Sequence, residues 1–249
     1  MDAEGEDFFN VYEDEERARS YADLGFPPTY ALAFRDLPDL FARHVRGRRA
    51  LDFGCGAGRS SRFLKKLGFQ DTGLDISEPM LSLARERDPA GDYRLVPDDG
   101  ELRTLVEAPF DLILSALTFD NIPTRARRIR LLDSLAGLLA SRGRFVKLVS
   151  APELYLHEWV SLSPEAFPEN RQAREGDRVR IVILDGADRR PVDDILWTDE
   201  GYRVLYDQVG LVPLEVHKPL GRPGEVQEWR SETRISPWTI YVLRREGAA

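Results

Sequence analysis

Nine residues, Leu51-Asp52-Phe53-Gly54-Cys55-Gly56-Ala57-Gly58-Arg59, restrict the fold of this chain more than any other stretch. A short apolar run at 49–53 reads as a strand. A helical pattern at 59–67 follows and stops at Gly68. Glycines at 54, 56 and 58 permit a tight turn between the two and let a ligand approach the backbone. A strand, a glycine loop and a helix in this order open a βαβ unit, which implies a parallel sheet with right-handed crossovers.

The downstream pattern agrees. Strand signals at 71–75, 93–96, 110–115 and 144–150 alternate with helical ones. Ser77 is placed to cap a helix that has Pro79 in its first turn and Met80, Leu81 and Ala84 on its apolar face. Leucines at 131, 132, 135, 138 and 139 give residues 127–140 an amphipathic helical period. Arg125, Arg127, Arg128 and Arg130 read as its solvated face. Before the glycine loop, residues 8–46 look helical in two pieces broken at Phe26-Pro27-Pro28. After residue 150 the alternation stops. Residues 151–198 are rich in proline and charge, with a β-like run at 178–184. A helix at 199–209 and strands at 211–216 and 235–243 complete the pattern. No helix separates those two strands, so they are expected to pair antiparallel.

The net charge is −8, without the basic surplus of a nucleic-acid binder. Cys55 is the lone cysteine, so neither an internal disulfide nor a cysteine-rich metal site is expected. No apolar run reaches the roughly 18–20 residues of a membrane span, and the acidic start is unlike a signal peptide. A cytoplasmic protein with no membrane or nucleic-acid partner is expected.

A dinucleotide fingerprint would place Gly or Ala three residues after Gly56, where this chain has Arg59. An acid followed by alternating glycines instead resembles the first motif of class I S-adenosylmethionine-dependent methyltransferases of the small-molecule type. Three further features agree: Leu74-Asp75-Ile76, with its acid 21 residues beyond Gly54; Pro97-Asp98-Asp99-Gly100 after the third strand; and Phe110-Asp111-Leu112-Ile113-Leu114-Ser115 as the fourth. The resemblance covers residues 49–150 well and the flanks only in position.

It implies an α/β fold. The sheet is Rossmann-like and seven-stranded, with helices on both faces and the last strand antiparallel. A helical N-terminal cap (8–46), a cofactor-binding core (49–150), a substrate lid inserted after the fifth strand (151–198) and a C-terminal helix with two strands (199–245) make one domain over 1–249. It also implies the cofactor, S-adenosyl-L-methionine, with S-adenosyl-L-homocysteine as product, and these site residues. Gly54, Cys55 and Gly56 line the methionine part, with Asp52 steadying the loop. Asp75 holds the ribose. Ile76 and Met80 sandwich the adenine, and Asp99 or Asp98, beside Gly100, meets its amino group. Ser115 or Ala116 lies near the methionine amino group. Tyr21, then Tyr30, is the candidate from the N-terminal helices. No metal is implied, and a homodimer is compatible.

The acceptor is less legible. The sulfonium methyl is already activated, so alignment supplies much of the rate, and a base is needed only for a protonated acceptor. Asp120 is either such a base or the cap of the next helix, the simpler reading. Asn121 is placed to position an acceptor. His157 is the other candidate base, since imidazole is the side chain best suited to proton transfer near neutral pH. Tyr155 and Trp159 are candidates to stack on an acceptor, and Trp229 to close the pocket from the side. The Asn/Asp-Pro-Pro-aromatic tetrad of base amino-group methylation is missing, since Ser115-Ala116-Leu117-Thr118 stands there. A small molecule methylated on O or N is therefore expected. A macromolecular acceptor, a non-catalytic cofactor-binding subunit and a nicotinamide enzyme are the alternatives.

Overall fold

The computed structural model describes residues 11–97 and 102–247. Three helices come first: α1 (Glu15–Asp23), α2 (Pro28–Arg35) and α3 (Leu37–His44). The expected second helical piece is thus divided. The chain turns at Asp36, where Pro38 in the first turn of α3 removes a backbone donor. The core follows as β1 (Arg49–Phe53), α4 (Arg59–Lys66), β2 (Gln70–Asp75), α5 (Glu78–Arg87), β3 (Asp92–Leu95), β4 (Phe110–Ala116), α6 (Arg125–Leu138) and β5 (Leu139–Ser150). Next come three short strands, β6 (Leu162–Ser163), β7 (Arg178–Ile183) and β8 (Val192–Ile195). The chain ends with α7 (Asp199–Gln208), β9 (Leu211–His217) and β10 (Trp238–Arg245).

Seven strands form one sheet in the order β3-β2-β1-β4-β5-β10-β9. The first five are parallel, and β10 runs antiparallel to both β5 and β9, as expected. Covering both faces explains the nearly continuous apolar runs of the central strands. Ala50, Leu112, Leu114, Val146, Leu148, Ile240 and Val242 belong to one core cluster. Their strand neighbours Leu51, Ile113, Phe145, Tyr241 and Leu243 belong to a second one, with α6 and α7. The residue-by-residue alternation of a strand separates the two sets. Strand β5 starts earlier than expected: Leu139 turns extended directly after α6 and pairs with Phe110.

Local chemistry sets the helix ends. Asp14, Ser77, Thr124 and Thr198 each accept a backbone N–H at the start of α1, α5, α6 and α7. One expectation fails here. Arg128 is not on a solvated face but fully buried. Its Nη1 donates to the Tyr202 hydroxyl at 2.9 Å, and its guanidinium lies 4.5 Å from the Trp197 ring centroid. Aromatic faces from α7 and the segment before it compensate the burial. Lys147 is buried in the same layer, with Nζ 3.0 Å from the Tyr202 ring centroid, and burial holds its ammonium pKa well below the ordinary value.

The inserted strands make a second, antiparallel sheet, β6-β7-β8, above the C-terminal edge of the main one. Among the described residues, no helix is long and apolar enough to cross a membrane.

Candidate active site

Strand order reverses between β1 and β4, the crevice position where open α/β sheets bind ligands. A cavity of about 890 Å³ lies there. Its floor is the C-terminal edge of the sheet, its roof the β6–β8 sheet, and one wall the N-terminal helices.

At one end the wall is largely backbone. Gly54, Gly56 and Gly58 have φ of +75°, +51° and +74°, where a side chain strains the chain. Gly54 and Cys55 both donate N–H to the carbonyl of Leu74, which clamps the loop to β2. A Cβ on Gly54 would sit 2.0 Å from Thr118 Oγ1. Beneath the loop, Asp52 Oδ2 accepts from Ser60 Oγ at 2.6 Å and Ser61 Oγ at 2.7 Å, tying β1 to α4. Burial pushes the Asp52 carboxyl up to about 7. Asp75 closes the loop from the next strand: Oδ2 accepts from Gly56 N at 2.7 Å and Oδ1 from Ser77 N at 2.9 Å. Burial raises its pKa against those hydrogen bonds. Asp75, Ile76 and Met80 line the cavity, as do Tyr21 and Tyr30. Leu117 stands next to this wall at φ +65°, a conformation unusual for a branched side chain and often retained at functional sites.

Arg59, which departs from the dinucleotide pattern, joins the helices to the loop. Its guanidinium lies 5.0 Å from the Tyr21 ring centroid and 5.7 Å from that of Tyr30, and it donates to the Gly25 carbonyl. Cys55 points away from the main cavity into a cluster with Leu81, Ala84 and Tyr93, where burial raises its thiol pKa. Ser115 also misses the cavity. Strand alternation turns it toward the opposite core face and presents Ala116 instead. Asp98, Asp99 and Gly100 lie outside the described residues.

The other end is built from side chains. Asp120 is buried, and its carboxylate accepts from Ser150 N and Ser150 Oγ, the latter at 3.0 Å. It does not cap the following helix; Thr124 does. Asp194, on β8, is equally buried and accepts from Tyr155 OH at 2.9 Å and Asn121 Nδ2 at 2.7 Å. Burial raises both carboxyl pKa values, helped at Asp120 by the charge of Asp194 and at Asp194 by that of Asp193. Asp120, Asn121, Ser150 and Asp194 line the cavity with Tyr30, Leu154, Leu162, Ile181, Ile183, Val192 and Trp238.

Four expected acceptor residues sit elsewhere. Tyr155 is buried behind the wall and holds Asp194 rather than touching the space. Trp159 is fully buried in the core, its Nε1 donating to the Leu154 carbonyl. His157 packs edge-on to Trp159, away from the lining. Trp229 donates to Glu225, also off the cavity. Conversely, sequence reasoning passed over Asp194, Thr118, Ser150 and Trp238. Only Asp194 left a signal: in Val192-Asp193-Asp194-Ile195, period two puts an acid on the face of Val192.

Comparisons with known proteins agree with this geometry. Residues 51–147 match the sequence model of the family described as "Methyltransferase domain". The ubiquinone biosynthesis O-methyltransferase of Bordetella bronchiseptica is 34% identical over 99 residues, covering 38% of this chain and 41% of that one. The malonyl-[acyl-carrier protein] O-methyltransferase of Salmonella typhimurium is 43% identical over 72 residues, 27% of this chain and 26% of its own. The chain thus matches well under half the length of these relatives. Among solved structures, an S-adenosylmethionine-dependent methyltransferase from Clostridium acetobutylicum superposes with TM-score 0.62 at 14% identity, covering 96% of this chain and all of that one. The CcbJ methyltransferase of Streptomyces caelestis superposes with TM-score 0.64 at 17% identity, covering 94% and 98%. Residues 51–147 thus match a methyltransferase domain, and the fold as a whole is the one shared with these S-adenosylmethionine-dependent methyltransferase structures.

Proposed function

We propose that the chain transfers the methyl group of S-adenosylmethionine to oxygen or nitrogen of a small molecule enclosed in the cavity. One observation carries this reading. A single space joins a glycine-backbone wall, with a strand-end carboxylate, to an enclosed wall of aromatic, aliphatic and acidic side chains. The first wall suits the nucleotide and methionine parts of the cofactor; the second suits an acceptor of limited size. The two matched relatives, both O-methyltransferases by name, support the reaction class.

In this proposal Gly54 and Gly56 let the methionine part approach the backbone, and Asp52 steadies the loop from below. Asp75 accepts from the ribose hydroxyls with the lone pairs that Gly56 and Ser77 leave. Ile76 and Met80 flank the adenine, and Tyr21 and Tyr30 close the cleft. The bound cofactor supplies an activated methyl carbon. The chain holds the acceptor in line with it, screens it from water beneath the β6–β8 roof, and offers Asp120 and Asp194 as proton acceptors.

Isothermal calorimetry with S-adenosylmethionine, S-adenosylhomocysteine and NAD tests it. Binding of both sulfur nucleotides and not of NAD is expected. A folded sample that binds neither sulfur nucleotide would refute the reading.

A further inference from the structure

Among the described residues, the donors that hydrogen-bond two carboxylates at the far end of the cavity are neutral. Those of Asp120 are Ser150 N and Oγ; those of Asp194 are Tyr155 OH and Asn121 Nδ2. Both side chains are at least nine-tenths buried, and each repels the other. The cations of this layer make their direct contacts elsewhere: Arg128 with Tyr202 and Trp197, and Lys147 with the rings of Tyr202 and its neighbours, so that Arg128 acts on the pair only through space. Around the pair, Tyr30, Trp238, Leu162, Ile181 and Ile183 supply apolar and aromatic surface. An anionic acceptor would bring a third negative charge into a buried space. A hydroxyl acceptor would leave one through-space cation, Arg128, against two carboxylates. An ammonium offers two or three donors to the acceptors present, neutralises the pair, and finds aromatic faces suited to a cation.

We propose that the acceptor is a protonated amine with an apolar body, its nitrogen held against Asp120 and Asp194. This rests on the methyl-transfer reading above. The carboxylate pair takes one proton from the ammonium. The freed nitrogen lone pair forms the bond to the methyl carbon as the carbon–sulfur bond breaks, its electrons remaining on sulfur. The products are an N-methylated amine and S-adenosylhomocysteine, and the proton leaves the pair for solvent. Asp120 and Asp194 are thus the specificity determinants for nitrogen.

The test first measures the Kd of S-adenosylhomocysteine; failure there counts against methyl transfer, not against amine selection. At saturating S-adenosylhomocysteine, matched triplets are then titrated by calorimetry at pH 8. Each triplet carries one body (phenylethyl, indolylethyl or octyl) as the amine, the alcohol and the carboxylate. For at least one body the amine should bind at least ~10-fold tighter than its alcohol, with the carboxylate weakest. Asp194→Asn should shrink that preference to within about threefold without changing the Kd of S-adenosylhomocysteine. In the unaltered protein, amine affinity should fall about tenfold from pH 8 to pH 5 as the pair protonates, while alcohol affinity stays level. The charged and titratable groups facing the pair are Arg128 from α6, Lys147 from β5, Tyr12 and Tyr30 from the N-terminal segment, Tyr155, Asp193 and Tyr202. None of these tyrosines titrates in that window, because burial raises them all above their ordinary range. Normal S-adenosylhomocysteine binding with no amine preference in any triplet, whether through equal affinities or through no binding at all, would overturn the proposal. So would a flat pH dependence of amine binding.

Discussion

The two ends of the cavity solve recognition differently. At the glycine end the contacts come from main chain, and the strand-end carboxylate, Asp75, already accepts two N–H groups of the loop it shapes. At the acidic end the contacts come from side chains brought together by residues far apart in sequence, Asn121 and Tyr155 converging on Asp194. Backbone recognition depends on conformation, so it fails abruptly when a glycine is lost. Side-chain recognition can be retuned one residue at a time. One fold can thus keep a constant cofactor while its acceptor changes.

The sharpest way to break that contrast is Gly54→Ala. The new Cβ meets Thr118 Oγ1 at 2.0 Å, on backbone at φ +75°. Left-handed backbone alone costs about 1–2 kcal/mol, and the overlap adds to it. Cofactor affinity should fall by at least about 3 kcal/mol, more than 100-fold, in calorimetry. A loss below tenfold would mean that the loop adapts and that the wall is not conformationally fixed.

Asp52 probes the support under the same wall. Its folded carboxyl keeps its proton up to about pH 7, whereas an unfolded aspartate loses it near 4. Between those values the folded state binds more protons, so this group makes stability fall as pH rises through that window and leaves it level above. Asp52→Asn preserves an oxygen acceptor for Ser60 and Ser61 and removes the titration. Urea titrations at pH 4 and pH 7 should show the fall reduced by about 2–4 kcal/mol in the variant. Parallel curves for the two proteins would show that Asp52 is ionised in the fold.

Asp75→Ala removes a clamp of the loop and, in the proposed function, a ligand contact. Removing a buried charged acceptor should weaken S-adenosylmethionine binding by about 1–3 kcal/mol in calorimetry, less than the glycine change. Unchanged binding would remove the ribose assignment and leave Asp75 as a loop clamp only.

The same contrast explains what could be read in advance. The glycine end is contiguous in sequence: a strand, three glycines and an acid at the next strand end fix their relative places by local geometry, so Gly54, Gly56 and Asp75 were legible together. The seven-stranded sheet was legible too, because burial on both faces writes continuous apolar runs into β1, β4 and β5. Of Ser115 and Ala116, both compatible with the sequence pattern, Ala116 lines the cavity, since a strand shows its two faces to different cores. The acidic end depends on how residues 151–198 fold over the sheet edge, and no local period records that. Residue type alone points there to Trp159 and His157 and passes over Asp194, which sits in a four-residue strand. Arg128 was misjudged for a related reason: its aromatic partners lie some seventy residues away, on and before α7.

The smallest expected effect tests whether type or position defines the acidic end. His157 has the side chain most suited to proton transfer near neutral pH, yet it packs against Trp159 outside the lining. Asp120 and Asp194 line the space, with carboxyl groups shifted upward by burial toward the range in which a base works. If position decides, His157→Ala should leave S-adenosylhomocysteine affinity within about twofold of the parent, a few tenths of a kcal/mol. Once an acceptor is identified, the pH dependence of turnover should keep its shape in that variant and change in Asp120→Asn. A His157→Ala profile that loses its acid limb would instead require the segment around residue 157 to swing over the cavity when the acceptor binds. The β6–β8 sheet would then be a moving part of the site, not a fixed roof.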